Sequence, residues 1–165
     1  MPLFKCEKLE KINIQFTNIS DISFLENNKN LKELILFPEE NFIGTISKCE
    51  NLEKLKTISG FYDISFLEKI KNLKELNFVG SDKIVDYYRI SKCEKLEILT
   101  IIITIPDISF LEKNKNIKEL HLEGRKLKNC SSVSVFENLE KLKIWRTNIS
   151  DISFLEKNNS IKLLD

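Results

Sequence analysis

Residues 107–122 read DISFLEKNKNIKELHL, and two patterns in this stretch decide the fold. Its first six residues, Asp-Ile-Ser-Phe-Leu-Glu, also begin at Asp21, Asp63 and Asp151, so the four copies are separated by 42, 44 and 44 residues. Its last six carry apolar side chains at Ile117, Leu120 and Leu122, a Leu-x-x-Leu-x-Leu frame that returns far more often than DISFLE does. The same frame occurs at Leu9-Ile12-Ile14, Leu31-Leu34-Leu36, Leu52-Leu55-Thr57, Leu73-Leu76-Phe78, Leu96-Leu99-Ile101 and Leu139-Leu142-Ile144, and begins again at Ile161-Leu164. Successive first positions lie 22, 21, 21, 23, 21, 22 and 22 residues apart. Between the DISFLE copies stand KCEKLEKI from Lys5, KCENLEKL from Lys48, KCEKLEIL from Lys92 and VFENLEKL from Val135, so the larger period is a pair of unlike units.

A period of 21 to 23 residues is too short for a pair of helices, and x-Leu-x-Leu-x alternates as a strand with one buried face does. Each unit is then a short strand, a turn and a return leg with apolar residues at three-residue spacing, such as Ile19, Ile22 and Leu25. One unit cannot bury its apolar side alone. Stacked neighbours can, about 4.8 Å apart as a parallel sheet, which predicts a curved α/β solenoid of seven to eight repeats over residues 1–165. The sheet lines the concave face, with short 3-10 or helical turns on the convex side.

With this frame, TNISDISFLE followed by IKLL or LKEL resembles the short leucine-rich repeat of the internalin-like class, shared by the regulatory leucine-rich-repeat subunit of protein phosphatase 1. The paired units and the composition, which lacks alanine and abounds in Ile, Lys, Asn and Phe, also resemble leucine-rich-repeat gene families of A/T-rich DNA viruses. The resemblance implies a non-catalytic module that binds a protein on the concave face, with a phosphatase regulatory role as a further reading by analogy. It also places a buried asparagine ladder at the positions of Thr17, Gly60, Ser81, Thr104, Arg125 and Thr147, where Thr and Ser hydroxyls can still satisfy turn backbone groups but Gly60 and Arg125 cannot in the same way.

Charge and hydropathy narrow the classes of partner. With 26 basic and 25 acidic residues the net charge is +1, so no chain-wide field attracts nucleic acid or an anionic membrane. The longest apolar run, ILTIIITI from Ile98 to Ile105, is far short of a membrane span, and lysines interrupt the N-terminus. A reducing, cytoplasmic setting follows, with the sequons at Asn18 and Asn148 read as turns.

The return legs carry Ser-x-x-Glu at Ser23, Ser65, Ser109 and Ser153, and again at Ser47, Ser91 and Ser134, a spacing expected to form capping boxes in two alternating turn geometries. Cys6, Cys49 and Cys93 share a slot with Phe136, which marks an apolar core position, and Cys130 is expected to be the exposed thiol. The lone His121 shares the outward face of one strand with Glu119 and Glu123, side chains that start about 7 Å apart with no further ligand on the flanking strands. No metal, cofactor or catalytic set is expected.

Outward strand positions form columns. The first reads Lys11, Glu33, Lys54, Glu75, Ile98, Glu119, Lys141, a solubilising charge ladder. The third reads Gln15, Phe37, Ile58, Val79, Ile102, Glu123, Trp145, apolar at five of seven places and flanked by Ile35, Ile103 and Arg146. Such a stripe on a wet face marks a binding surface, with Trp145, Arg146 and Phe37 as the expected anchors beside Ile58, Val79, Ile102 and His121. The bland alternative is strand propensity combined with A/T-rich coding. The aromatics Phe61, Tyr62, Tyr87 and Tyr88 are equally compatible with core and surface. The chain stops in a strand at IKLLD, so a self-assembling protein, or a homodimer through that C-terminal edge, is the competing expectation.

Overall fold

A computed structural model describes residues 7–37, 42–57, 61–79, 84 and 86–165. Cys6, Ile58, Gly60 and Ser81, together with the N-terminal MPLF, lie outside the described residues. The strands are β1 (Lys11–Ile14), β2 (Glu33–Leu36), β3 (Lys54–Thr57), β4 (Glu75–Val79), β5 (Ile98–Ile102), β6 (Glu119–Glu123), β7 (Lys141–Trp145) and β8 (Leu163–Leu164). They pair in sequence order as one open parallel sheet of eight strands, with the register anticipated: Leu34, Leu55, Leu76, Leu99, Leu120 and Leu142 face one another across successive pairs. All six are buried, as are the first-position residues from Leu31 to Leu139. Each fully buried aliphatic side chain is worth about 1.5–3 kcal/mol, and the stack repeats this contribution coil by coil.

The return legs are 3-10 turns at Ser23–Leu25, Ser65–Glu68, Tyr87–Lys92, Ser109–Leu111, Ser131–Val135 and Ser153–Lys157, and one short helix, α1 (Phe42–Ile46). Legs that begin with DISFLE differ from their neighbours in length or type in the first three copies, so the convex side alternates as expected. In the first three DISFLE copies the Ile and Leu point inward, with Ile22, Leu25, Ile64, Leu67, Ile108 and Leu111 buried, whereas in the fourth Ile152 is exposed and Leu155 half-buried.

The capping boxes do not form. These turns open on the Ile, with φ near −115° at Ile22, and the Ser side chain makes no cap. The acceptor is instead the aspartate two residues before the Ser. The Ser23, Ser65, Ser109 and Ser153 amides donate to Asp21, Asp63, Asp107 and Asp151 at 2.8–3.0 Å. Asp86 takes the Tyr88 amide and Asn129 the Ser131 amide in the same way. A 3-10 turn is too short for a carboxylate to reach back from its far end, so the glutamates reach sideways to the next coil. Glu26 binds Lys48 at 2.8 Å and the Thr45 hydroxyl, Glu68 binds Arg89, and Glu112 accepts from Ser132. In the alternate legs the Ser47 and Ser134 hydroxyls donate to carbonyls three residues earlier.

Hydrogen bonds from the Ser23 amide to Asp21, from the Ser109 hydroxyl and amide to Asp107, and from the Ser153 amide to Asp151 hold these carboxyls below their ordinary value of 3.8. A folded-state value lowered in this way contributes stability that is present above the unfolded pKa and lost as pH falls through the folded one. Denaturant midpoints are therefore expected to fall on acidification below pH 3.8, and Asp107→Asn, which keeps an acceptor without the charge, is expected to reduce that slope. Equal slopes in both chains would show that the aspartate turns carry none of it.

The asparagine ladder exists, but before the strand and not after it. Asn114 and Asn158 are buried three residues ahead of the first strand position, in the slot held elsewhere by Cys49, Ile70, Cys93 and Phe136. The Asn114 amide donates to the Ile90 and Cys93 carbonyls at 3.3 and 2.8 Å, and Asn158 to those of Val133 and Phe136 at 3.2 and 3.1 Å. A second, exposed ladder runs beside it: Asn51, Asn72 and Asn116 donate to the carbonyls of Lys29, Glu50 and Glu94 one coil earlier. Of the positions expected from the resemblance, Thr17 satisfies a turn backbone group as anticipated, its hydroxyl donating to the Ile14 carbonyl at 2.8 Å, and Arg125 is exposed.

Cys49 and Cys93 fill the core slot as expected, but Cys130 is buried too, contrary to the expectation of an exposed thiol. Asn129-Cys130-Ser131 is a disguised Asp-Ile-Ser, which places the cysteine where Ile22, Ile64 and Ile108 sit. Burial pushes the Cys49 thiol up to about 11 and the Cys93 and Cys130 thiols up to about 12. All three are thus expected to resist iodoacetamide at pH near 8 until urea unfolds the chain, since only the thiolate reacts. Peptide mapping that finds Cys130 alkylated in the native chain would contradict the burial.

Candidate interaction surface

The parallel register lines up the outward side chains as columns on one face of the sheet. The first column is a ladder of ion pairs: Lys11 to Glu33 at 2.8 Å, Lys54 to Glu75 at 3.1 Å, and Lys141 to Glu119 at 2.8 Å. Lys32–Glu10, Lys74–Glu53, Lys118–Glu97 and Lys162–Glu140 form a parallel ladder in opposite phase, one residue earlier. Each exposed pair contributes about 0–1 kcal/mol, so the ladders enforce register and solubility more than stability.

The third column departs from this pattern as the sequence suggested. Phe37 is 44% exposed, Ile102 37% and Trp145 62%, while Val79 is half-buried. Val79, Ile102, Glu123 and Trp145 are consecutive register partners across β4 to β7. Ile103, expected to flank this surface, points inward and is buried, because it continues the alternation in which Ile101 faces the core and Ile102 faces out. Glu123 interrupts the apolar run without leaving a bare charge: its carboxylate meets the Arg146 guanidinium at 3.1 Å, and that guanidinium lies 4.4 Å from the centre of the Trp145 ring. Arg146 adopts φ 50°, and Phe16, its counterpart in the first repeat, adopts φ 55°. The left-handed backbone at Arg146 accompanies this stacking.

Ile102, His121 and Trp145 line one hollow of about 530 Å³ over β5 to β7, floored by Thr100, Leu122 and Lys143 and closed at one end by Asp165. Lys143 is paired with Asp165 at 3.0 Å. Phe37 lies outside this hollow, just past the end of β2 and three strands away, or about 14 Å at the ordinary strand spacing. Val79 lies beside the hollow, and Ile58 is outside the described residues. His121 Nδ1 sits 3.4 Å from the Thr100 hydroxyl, and its Nε2 is buried without a hydrogen-bond partner. Burial and then the Lys143 charge depress its pKa below the ordinary imidazole value. Among the described residues no three His, Cys, Asp or Glu side chains converge as metal ligands.

On the convex side Phe61 and Tyr87 are buried, whereas Tyr62 and Tyr88 are exposed. The Tyr88 ring lies between the ammonium groups of Lys92 and Lys113, at 5.4 and 5.5 Å. Among the described residues no helix is long and apolar enough to cross a membrane.

No protein-family model and no curated protein matches the chain in sequence. Solved structures do match it in fold. Internalin C2 of Listeria monocytogenes superposes with a TM-score of 0.83 at 18% identity over 99% of this chain and 73% of its own. Internalin F of the same organism gives 0.70 at 21% over 99% and 56%. The protein in a TLR13–ssRNA13 complex gives 0.73 at 19% over 96% of this chain and 25% of its own. This chain spans between about half and three-quarters of the length of the two internalins. An unbroken parallel sheet in sequence order, 3-10 return legs and these superpositions together show that the chain has the leucine-rich-repeat solenoid fold.

Proposed function

We propose that the chain is a non-catalytic interaction module that takes a protein partner on the outward face of its sheet, centred on the hollow over β5 to β7. The observation that carries this reading is Trp145, 62% exposed at the end of β7 and sharing one hollow with Ile102 two strands away. An indole left in water at the edge of a hollow that also holds Ile102 forfeits burial that a partner restores, and Trp and Arg are the residues on which interface energy concentrates. The three unpaired thiols buried in the core are in keeping with a reducing, cytoplasmic setting.

Affinity purification from the native host, followed by mass spectrometry, tests this reading against variants of the full chain. Trp145→Ala and Ile102→Asp are expected to lower recovery of the same protein species by at least about thirty-fold, equivalent to 2 kcal/mol, as truncation of a central anchor does. Tyr88→Ala on the convex side is expected to leave recovery unchanged. Equal recovery of every species by all variants, with unaltered melting temperatures, would remove the sheet face as the binding surface.

A further inference from the structure

The hollow is not symmetric in charge, and the asymmetry identifies the chemistry of its occupant. Over its floor each nearby carboxylate is already neutralised: Glu119 by Lys141, Glu123 by Arg146 and Asp165 by Lys143. Beyond Ile102 and Glu123 the hollow continues into a groove of about 280 Å³ along the turn that follows β6. Arg125, Lys126 and Arg146 line this groove beside the carboxylate of Glu123, which Arg146 already pairs. Arg125 is exposed and makes no ion pair among the described residues. Gly124 holds that turn close against the end of β5, where a Cβ would stand 2.2 Å from the Ile103 carbonyl oxygen, so the basic turn is fixed beside the apolar floor.

Resting on the reading above, we propose that the partner docks through an acidic segment, with a large aliphatic or aromatic side chain in the hollow beside Trp145 and a carboxylate on the Arg125–Lys126 turn. Ile102 borders both compartments. An extended peptide advances about 3.3 Å per residue, so the carboxylate belongs one or two positions from the apolar residue. A single-stranded nucleic acid could stack on Trp145 and set phosphates on the same cations. The cations of the groove lie at one end of the hollow and form no continuous track for a phosphate backbone, and the hollow with Ile102 and Trp145 suits a side chain.

The test uses the full chain and a phage-displayed library of random peptides of about twelve residues, the length of an extended docking segment, counter-selected on Ile102→Asp. Enriched clones are expected to carry Asp or Glu within two residues of an apolar anchor. Trp145 is the only tryptophan in the chain, so its fluorescence reports their titration directly. Affinity is expected to fall at least about ten-fold in the double variant Arg125→Glu, Lys126→Glu and to weaken with salt. Clones without acidic bias, or with affinity unchanged by the charge reversal, would overturn the acidic segment while leaving the sheet-face reading intact. Failure to recover any clone that depends on Ile102 would overturn both. An oligouridylate that binds more tightly than the clones and is lost in the double variant would overturn the proposal in favour of nucleic acid.

Discussion

Asn114→Ala is expected to lower the melting temperature by roughly 4–10 °C, although the residue touches neither the hollow nor the surface. Asn114 is fully buried, and its amide donates to the carbonyls of both Ile90 and Cys93, tying the coil of β6 to the coil before it. Alanine removes two buried hydrogen bonds and leaves a void against close-packed neighbours, a combined cost of about 2–3 kcal/mol. Asn116→Ala deletes a similar bond, to the Glu94 carbonyl at 2.8 Å, but at the surface, where water replaces the lost donor. Its expected cost is below about 1 kcal/mol. Circular dichroism melts of the two variants separate the cases, and equal shifts would mean that the buried ladder adds nothing beyond the exposed one. Ile70 fills the same slot in the fourth coil, so the fold accepts an apolar side chain there when it occupies the volume.

The solenoid was legible because a strand with one buried face writes its period directly into the sequence, and seven full copies of Leu-x-x-Leu-x-Leu fix both register and stacking order. What was not legible is the choice of polar partners. Ser-x-x-Glu looks like a capping box whenever it precedes an apolar run, and only the extreme shortness of the 3-10 turn hands the role to Asp21, Asp63, Asp107 and Asp151. Asn-x-Asn recurs before the strand at Asn28-Lys29-Asn30 and Asn114-Lys115-Asn116, but such a pair is equally common in exposed turns, and only the stacking of coils shows that its first member is buried. Cys130 shows the same difficulty: its slot becomes visible only when Asn129 is aligned with the aspartates.

On the outward face, alternation correctly placed Phe37, Val79, Ile102, His121 and Trp145, since a strand's period leaves no choice. The same period turns Ile103 inward after Ile102, so the expectation that it flanks the stripe went against alternation. The polar half of the surface was missed because its signal is distributed: Lys143 and Asp165 meet across repeats, and Arg125 and Lys126 belong to a turn whose position depends on the packing of a single glycine.

That glycine carries the second large expected effect. Gly124 lies outside the left-handed region, so its role is steric: the 2.2 Å approach of a Cβ to the Ile103 carbonyl oxygen is backbone against backbone. Neither side yields freely, because the Ile103 amide donates to the Glu123 carbonyl at 2.7 Å and the Leu127 amide to that of Gly124 at 3.0 Å. Gly124→Ala is therefore expected to cost about 1–3 kcal/mol, the range for forcing a methyl into filled space. Gly44 supplies the control. It sits within α1 with nothing within 4 Å of its missing Cβ, and Gly44→Ala is expected to stabilise the chain by about 0.5–1 kcal/mol by restricting the unfolded state and favouring helix. Urea unfolding of the two variants should thus shift in opposite directions, and a Gly124→Ala chain as stable as Gly44→Ala would refute the close approach. Because the displaced turn carries Arg125 and Lys126, Gly124→Ala is also expected to weaken any acidic peptide captured by the hollow, while Gly44→Ala leaves that affinity unchanged; this would tie the close approach of two coils to the chemistry at the rim.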